Sequence, residues 1–194
     1  MDIITALGGI GAAFGLSTSA GLNAYIPLLL VALAGRLPLD NPLLKLNAPY
    51  DLLSSWWVIG LLVVLLAIEV LVDKIPAVDT ANDVIQTFIR PAAGAILFAA
   101  NAYVITDISP VMAVIAGVLL AGSVHATKGV VRPAVTATTA GTGNWLVSTI
   151  EDVIATIVSI ISILLPLLAL LVVITLLTLI VVYWRRRRKR ALAQ

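Results

Sequence analysis

The chain has 194 residues, of which 61% are hydrophobic and 11% charged, and its mean hydropathy is +1.11. So little charge cannot cover a water-soluble domain of this size, and with no cysteine the chain has no disulfides, thiolate chemistry or cysteine metal sites. The net charge of +2 hides an asymmetry: six of the twelve basic residues (Arg185, Arg186, Arg187, Arg188, Lys189 and Arg190) form one tail, and without them six bases stand against ten acids, a balance of −4.

From the N-terminus, residues 3–16 are apolar and rich in Gly and Ala, with no basic n-region, so they read as a mature segment and not as a signal peptide. The small polar stretch "STSAGLN" (Ser17 to Asn23) follows, then the apolar "AYIPLLLVALAG". This predicts either one long broken helix or two short ones meeting at the polar stretch. Gly8, Gly9, Gly11 and Gly15 point to close helix packing. Residues 36–54 hold three prolines and mixed charge and read as an extramembrane loop with a short interfacial helix. Trp56 and Trp57 mark an interface, and the apolar run behind them predicts a span over 55–74.

"DKIPAVDTAND" is a polar junction where Asp79 or Thr80 is placed to cap the next helix, Thr80 and Asp83 having capping-box spacing. That helix is predicted to run to about Val104 with a kink at Pro91. The next span starts near Val111 and fades into "SVHATKGVVRPAVTATTAG" (Ser123 to Gly141). "GTGN" breaks the chain again. Ser148 and Glu151 form a second capping-box pattern, and the long apolar run that ends at Trp184 either divides at Pro166 or begins with an amphipathic helix over 148–162. The expected fold is an all-α polytopic transmembrane bundle of five to seven membrane elements, spanning residues 1–184 and followed by the basic tail 185–194. The tail predicts a cytoplasmic C-terminus and contact with anionic lipid headgroups. A nucleic-acid role has no further support.

The polar breaks also align with one another. A shift of 106 residues places Ser17, Ala20, Pro27, Ala34 and Gly35 on Ser123, Ala126, Pro133, Ala140 and Gly141, and a shift of 42 places "IRPAAGA" on "VRPAVTA". A possible internal repeat of Pro/Gly-broken or re-entrant segments is a transporter signature.

Ionisable residues inside a membrane are functional candidates by default. Two groups qualify. In "EVLVDKIPAVDTAND", Glu69 and Asp73 share a helix face, as do Asp79 and Asp83, with Lys74 and Asn82 among them. Glu69 lies a turn inside its span and needs a partner. Glu69 and Asp73 are also the candidates for a metal. In the second group, His125, Lys128 and Arg132 share one face, and Arg90 beside Pro91 mirrors Arg132 beside Pro133. The expected pairing is of Glu69 and Asp73 with Lys128 and Arg132. Asn144 forms a smaller group with Ser148, Glu151 and Asp152, in which capping accounts for Ser148 and Glu151 but not for Asp152. No catalytic motif is found and no cofactor is implied.

"GLNAYIPLL", "EVLVDKIPAVDTANDVIQTFIRPAAGAILFA" and "HATKGVVRPAVTATTAGTGNWLVSTIED" resemble an uncharacterised domain-of-unknown-function family of small bacterial membrane proteins with relatives in photosynthetic organisms. The resemblance covers roughly residues 5–152; the terminal span and tail look less family-specific. It implies membrane location and carries over no site residues. Two functions follow as expectations. One is an inner-membrane transporter or channel-like protein for a small solute or ion, possible as a homo-oligomer. The other is a lipid-binding or structural protein recognising lipid phosphate. An intramembrane enzyme is a third, weaker reading, since it needs a water-accessible His125 paired with a carboxylate.

Overall fold

The computed structural model describes residues 3–46, 48–72, 76–102, 109–139 and 143–172, with Ile174, Thr175, Thr178, Leu179 and Val182; for Thr5, residues 76–81, Asp83 and Ala102 it describes the backbone alone. The described residues form six α-helices and one short 3₁₀ helix, with no strand among them. The helices are α1 (Ile3–Leu22), α2 (Tyr25–Ala34), α3 (Trp56–Val72), α4 (Pro76–Ala102), α5 (Pro110–Thr139) and α6 (Asn144–Leu164). Three helical segments are long and apolar enough to cross a membrane, Val84–Asn101, Pro110–Thr139 and Asn144–Leu164, and α1, α2 and α3 are shorter apolar helices. The predicted all-helical membrane bundle is therefore the observed architecture.

The burial pattern is that of a protein dissolved in lipid. Its buried side chains are mostly small or polar, such as Ala13, Ser17, Ser19, Ala20, Ala121 and Ser159. Most of its large apolar side chains face outward: Trp57 is 91% exposed, Val130 78% and Phe88 77%. A water-soluble fold buries such residues. Within a bilayer hydrocarbon is as good a solvent as a leucine core, so helices associate through close backbone contact and hydrogen bonds instead.

α1 is the central helix, lying against α4, α5 and α6. Its contacts give the direction of each neighbour. Ser17 Oγ donates to the Gly94 carbonyl at 2.9 Å, and Phe14 meets Phe98 edge-on at 5.3 Å, so α4 runs antiparallel to α1. A methyl group at Gly21 would meet the Ala121 carbonyl at 2.6 Å, and Ala13 packs with Ala113, so α5 runs parallel to α1. Asn23 meets Asp152, Ser19 meets Ser159, and Gly15 meets Ser162, so α6 is antiparallel to α1.

The predicted break after the first apolar run is real, and its cause is local. Pro27 has no N–H to offer the carbonyl four residues back, that of Asn23. Asn23 Oδ1 instead accepts from Tyr25 N at 2.9 Å and Ile26 N at 3.1 Å and so caps α2. Beyond the break α2 runs back alongside α6, its Leu33 and Ala34 lining a groove with Ile160 and Ile163. α1 and α2 thus form a hairpin whose tip lies against the middle of α5 and α6.

Pro166 divides the last apolar run: α6 ends at Leu164 and helix resumes at Pro166. Gly11 and Gly15 sit against the Pro166 carbonyl and the Ser162 hydroxyl, where a methyl group would overlap, and Gly8 also packs on Pro166. The loop over 36–54 contains the short 3₁₀ helix Tyr50–Ser54, and the Arg36 guanidinium lies 5.4 Å from the centre of the Trp56 ring.

Three expectations differ from the structure. "SVHATKGVVRPAVTATTAG" is not a break through its described length; α5 continues unbroken to Thr139. Its threonines bond back along the helix, Thr127 to the Ser123 carbonyl at 2.9 Å and Thr138 to Ala134 at 2.9 Å, so their polarity is satisfied without leaving the helix. The two aligned segments therefore differ, one broken and one continuous: a shift of 106 sets Gly129, which has no side chain to cap with, in the place of Asn23. Neither capping box sits at a helix start. α4 begins at Pro76, before Asp79 and Thr80, and α6 begins at Asn144 with Gly143 as its cap, before Ser148.

Candidate functional site

The described charged side chains on α3, α4, α5 and α6 converge at the tip of the α1–α2 hairpin. On α3, Glu69 Oε1 accepts from Arg90 Nη2 at 3.1 Å, both side chains being almost fully buried (2% and 1% exposed). Arg90 Nη1 lies 3.1 Å from His125 Nδ1. A guanidinium can only donate, so Nδ1 accepts and the ring proton sits on Nε2. That nitrogen is 3.0 Å from Thr87 Oγ1. A single chain of contacts therefore links α3, α4 and α5. Tyr25, at the start of α2, lies within electrostatic reach of Glu69 and Arg90, with Gln86 beside it.

One turn further along α5, Lys128 Nζ meets Glu151 Oε2 of α6 at 2.6 Å, and Arg132 Nη2 reaches the same oxygen at 3.6 Å. Lys128 Nζ also donates to the Leu22 carbonyl at 3.3 Å. Leu22 is the last residue of α1, so the ammonium stands at the negative end of that helix dipole. Asn23 Nδ2 donates to Asp152 Oδ1 at 2.9 Å, tying the hairpin tip to α6. Lys128 lies about 16 Å inside the C-terminal end of α5, and Asp152 about 12 Å inside the start of α6, at 1.5 Å per residue. Taking such charges out of water costs several kcal/mol per ion, so only this mutual pairing makes the cluster tolerable.

The cluster opens on a cavity of about 590 Å³ between α4, α5 and the start of α6. α4 contributes Val84 and Thr87 to its wall, and α5 contributes His125, Lys128 and Arg132 and, further on, Thr136. Asn144, the first residue of α6, closes one end. Its Nδ2 donates to Thr136 Oγ1 at 3.0 Å, and that oxygen lies 3.0 Å from the Arg132 carbonyl. Among the described residues the charged side chains lining the cavity are cationic, while Glu151, 13% exposed, stands behind Lys128 and Arg132.

The candidates read from the sequence divide accordingly. Arg90, His125, Lys128, Arg132 and Glu69 meet in one network, and Asn144 and Asp152 join it at its edges. Among the described residues Glu69 meets a different cation from those expected, and the expected pairing of Asp73 lies outside them. Glu69 pairs with Arg90, its neighbour across the α3–α4 hairpin, and Lys128 and Arg132 pair with Glu151 across the α5–α6 hairpin. Asp73 and Lys74, the side chains of Asp79 and Asp83, and the tail Arg185, Arg186, Arg187, Arg188, Lys189 and Arg190 lie outside the described residues. Asn82 is half-buried on α4 and does not line the cavity. No group of three His, Asp or Glu side chains suited to a metal converges among the described residues.

Asn23 and Thr87 are not among the sequence candidates, and Glu151 is read there only as a helix cap. Glu151 was legible in principle, since two cations one turn apart need an acid on a facing helix. Its spacing from Ser148 disguised it as a cap. The comparisons place the fold in known sequence space. Residues 10–186 match the family described as a domain of unknown function, DUF4126. The chain belongs to this family. The match runs past residue 152 through the terminal apolar run, which is thus as much part of the family as the charged core. No curated protein and no solved structure is detectably similar to the chain.

Proposed function

We propose that this DUF4126 protein is a small membrane transporter that binds an anionic solute in the α4–α5–α6 cavity and passes it across the bilayer. The observation that carries the proposal is the position of Lys128 and Arg132. Both are nearly buried, yet both border a cavity of about 590 Å³, and their shared carboxylate, Glu151, is not among the residues of its wall. The α1–α2 hairpin adds support. Its tip sets the C-terminal carbonyl of α1 and the capped N-terminus of α2 at the depth of the charges, the arrangement that broken helices bring to transporter sites. On this reading the protein resides in the bacterial inner membrane with its basic tail in the cytoplasm, where positive residues collect.

The test is transbilayer movement in proteoliposomes. Labelled small anions, a fluorescent anionic lipid and a sodium control are followed with the wild-type chain, with Lys128→Met and in protein-free vesicles. At least one anion should move faster than in protein-free vesicles and lose that advantage in Lys128→Met, with sodium unchanged. No anion moving faster, or movement indifferent to Lys128→Met, contradicts the proposal.

A further inference from the structure

Two features of the cavity narrow its occupant. The first is the geometry of its donors. Lys128 supplies a point charge and Arg132 a planar fork one turn further on, while Thr87 from α4 and Asn144 from α6 approach from other sides. Asn144 also opens α6, so the positive end of that helix dipole faces the same space. Donors on three helices suit an oxyanion with several oxygens directed apart, as a phosphate has, better than a flat carboxylate that one fork satisfies.

The second feature is the mouth. Gly129 and Pro133 of the wall are exposed on α5, and nothing lies within 4 Å of where a Gly129 side chain would begin. Beside the cavity, Phe88 on α4 is 77% exposed and Val130 on α5 78%. These are the outward faces of the bundle. A soluble phosphate would have to approach across apolar side chains, whereas an amphiphile would lay its own apolar part along them.

We infer that the cavity binds a phosphate carried by a lipid, the headgroup seated on Lys128 and Arg132 and the hydrocarbon lying against the α4–α5 face. The inference rests on the cavity being an anion site and needs no transport. Binding of phosphatidic acid, diacylglycerol and inorganic phosphate to the full chain in an uncharged, phosphate-free maltoside detergent tests it. Phosphatidic acid should bind saturably, diacylglycerol should not compete, and inorganic phosphate should compete at least about a hundredfold more weakly. Arg132→Gln should weaken phosphatidic acid binding by about tenfold or more. Ala137→Trp fills the exposed mouth without touching a charge, and it should lose binding at an unchanged melting temperature.

Inorganic phosphate binding as tightly as phosphatidic acid would overturn the lipid source in favour of free phosphate. Phosphatidic acid binding unaltered by Arg132→Gln and Ala137→Trp would overturn the site. If small-anion flux depends on Lys128 while phosphatidic acid does not bind, the lipid inference falls and the transport proposal stands. If neither phosphate source binds and no anion moves, the anion site itself falls.

Discussion

Glu151 stands between two cations. It is the shared counter-ion of Lys128 and Arg132, and both cations are nearly buried. Removing one member of a buried ion pair strands the other charge and costs about 3–5 kcal/mol, whereas replacing both members with apolar groups is often neutral. Glu151→Gln is therefore expected to lower the melting temperature in detergent sharply. The double variant Glu151→Gln with Lys128→Met should recover part of that loss, which a double-mutant cycle of unfolding measures. Losses that simply add would show that Glu151 and Lys128 do not interact. At the hairpin tip, Asn23→Ala removes the α2 cap and the bond to Asp152 together. The cap alone contributes about 0.5–2 kcal/mol, so a loss of at least that size is expected by thermal unfolding. The sequence made Lys128, Arg132 and His125 legible because charge in apolar surroundings stands out. It hid Asn23, whose role depends on which face of the broken helix meets Asp152.

At the scale of elements, the bundle depends on backbone approach. α4 and α5 cross at Gly94 and Gly117, where a methyl on Gly94 would lie 2.6 Å from the Gly117 carbonyl. Interhelical hydrogen bonds in membranes average only about 0.6 kcal/mol, so bonds such as Ser19 to the Ala155 carbonyl cannot substitute for this fit. Gly94→Val is expected to destabilise by about 1–3 kcal/mol, the usual cost of overpacking. Gly60→Ala, on α3 with nothing within 4 Å of its new methyl, should be neutral or stabilising by up to about 1 kcal/mol through helix propensity. Equal effects of the two in a thermal-unfolding comparison would contradict the close-crossing account. Helix positions were largely legible from apolar runs, and the break before Pro27 was legible from its polar flank. The continuity of α5 was not. Proline, glycine and threonine read as a break in one dimension, while the threonine bonds to carbonyls four residues back only exist once the helix has formed.

For the whole molecule, fold class followed from composition, since a chain with 11% charge has no way to present a water-soluble surface. The structure adds the radial order: apolar bulk outside, small residues at the crossings, and a charged network at the centre that opens to one side. That order makes the central claim specific, namely that the α4–α5–α6 cavity gathers anions. The chain's lack of cysteine allows a direct measurement. A single Ala137→Cys variant places one thiol in the cavity wall, where it can be modified by anionic and cationic thiol reagents of equal size. A cleft lined by one sign of charge raises the local concentration of counter-ions by about tenfold or more. The anionic reagent should therefore react faster than the cationic one, and adding Arg132→Gln should erase most of the preference. Equal rates, or faster reaction with the cationic reagent in the otherwise wild-type chain, would contradict the account.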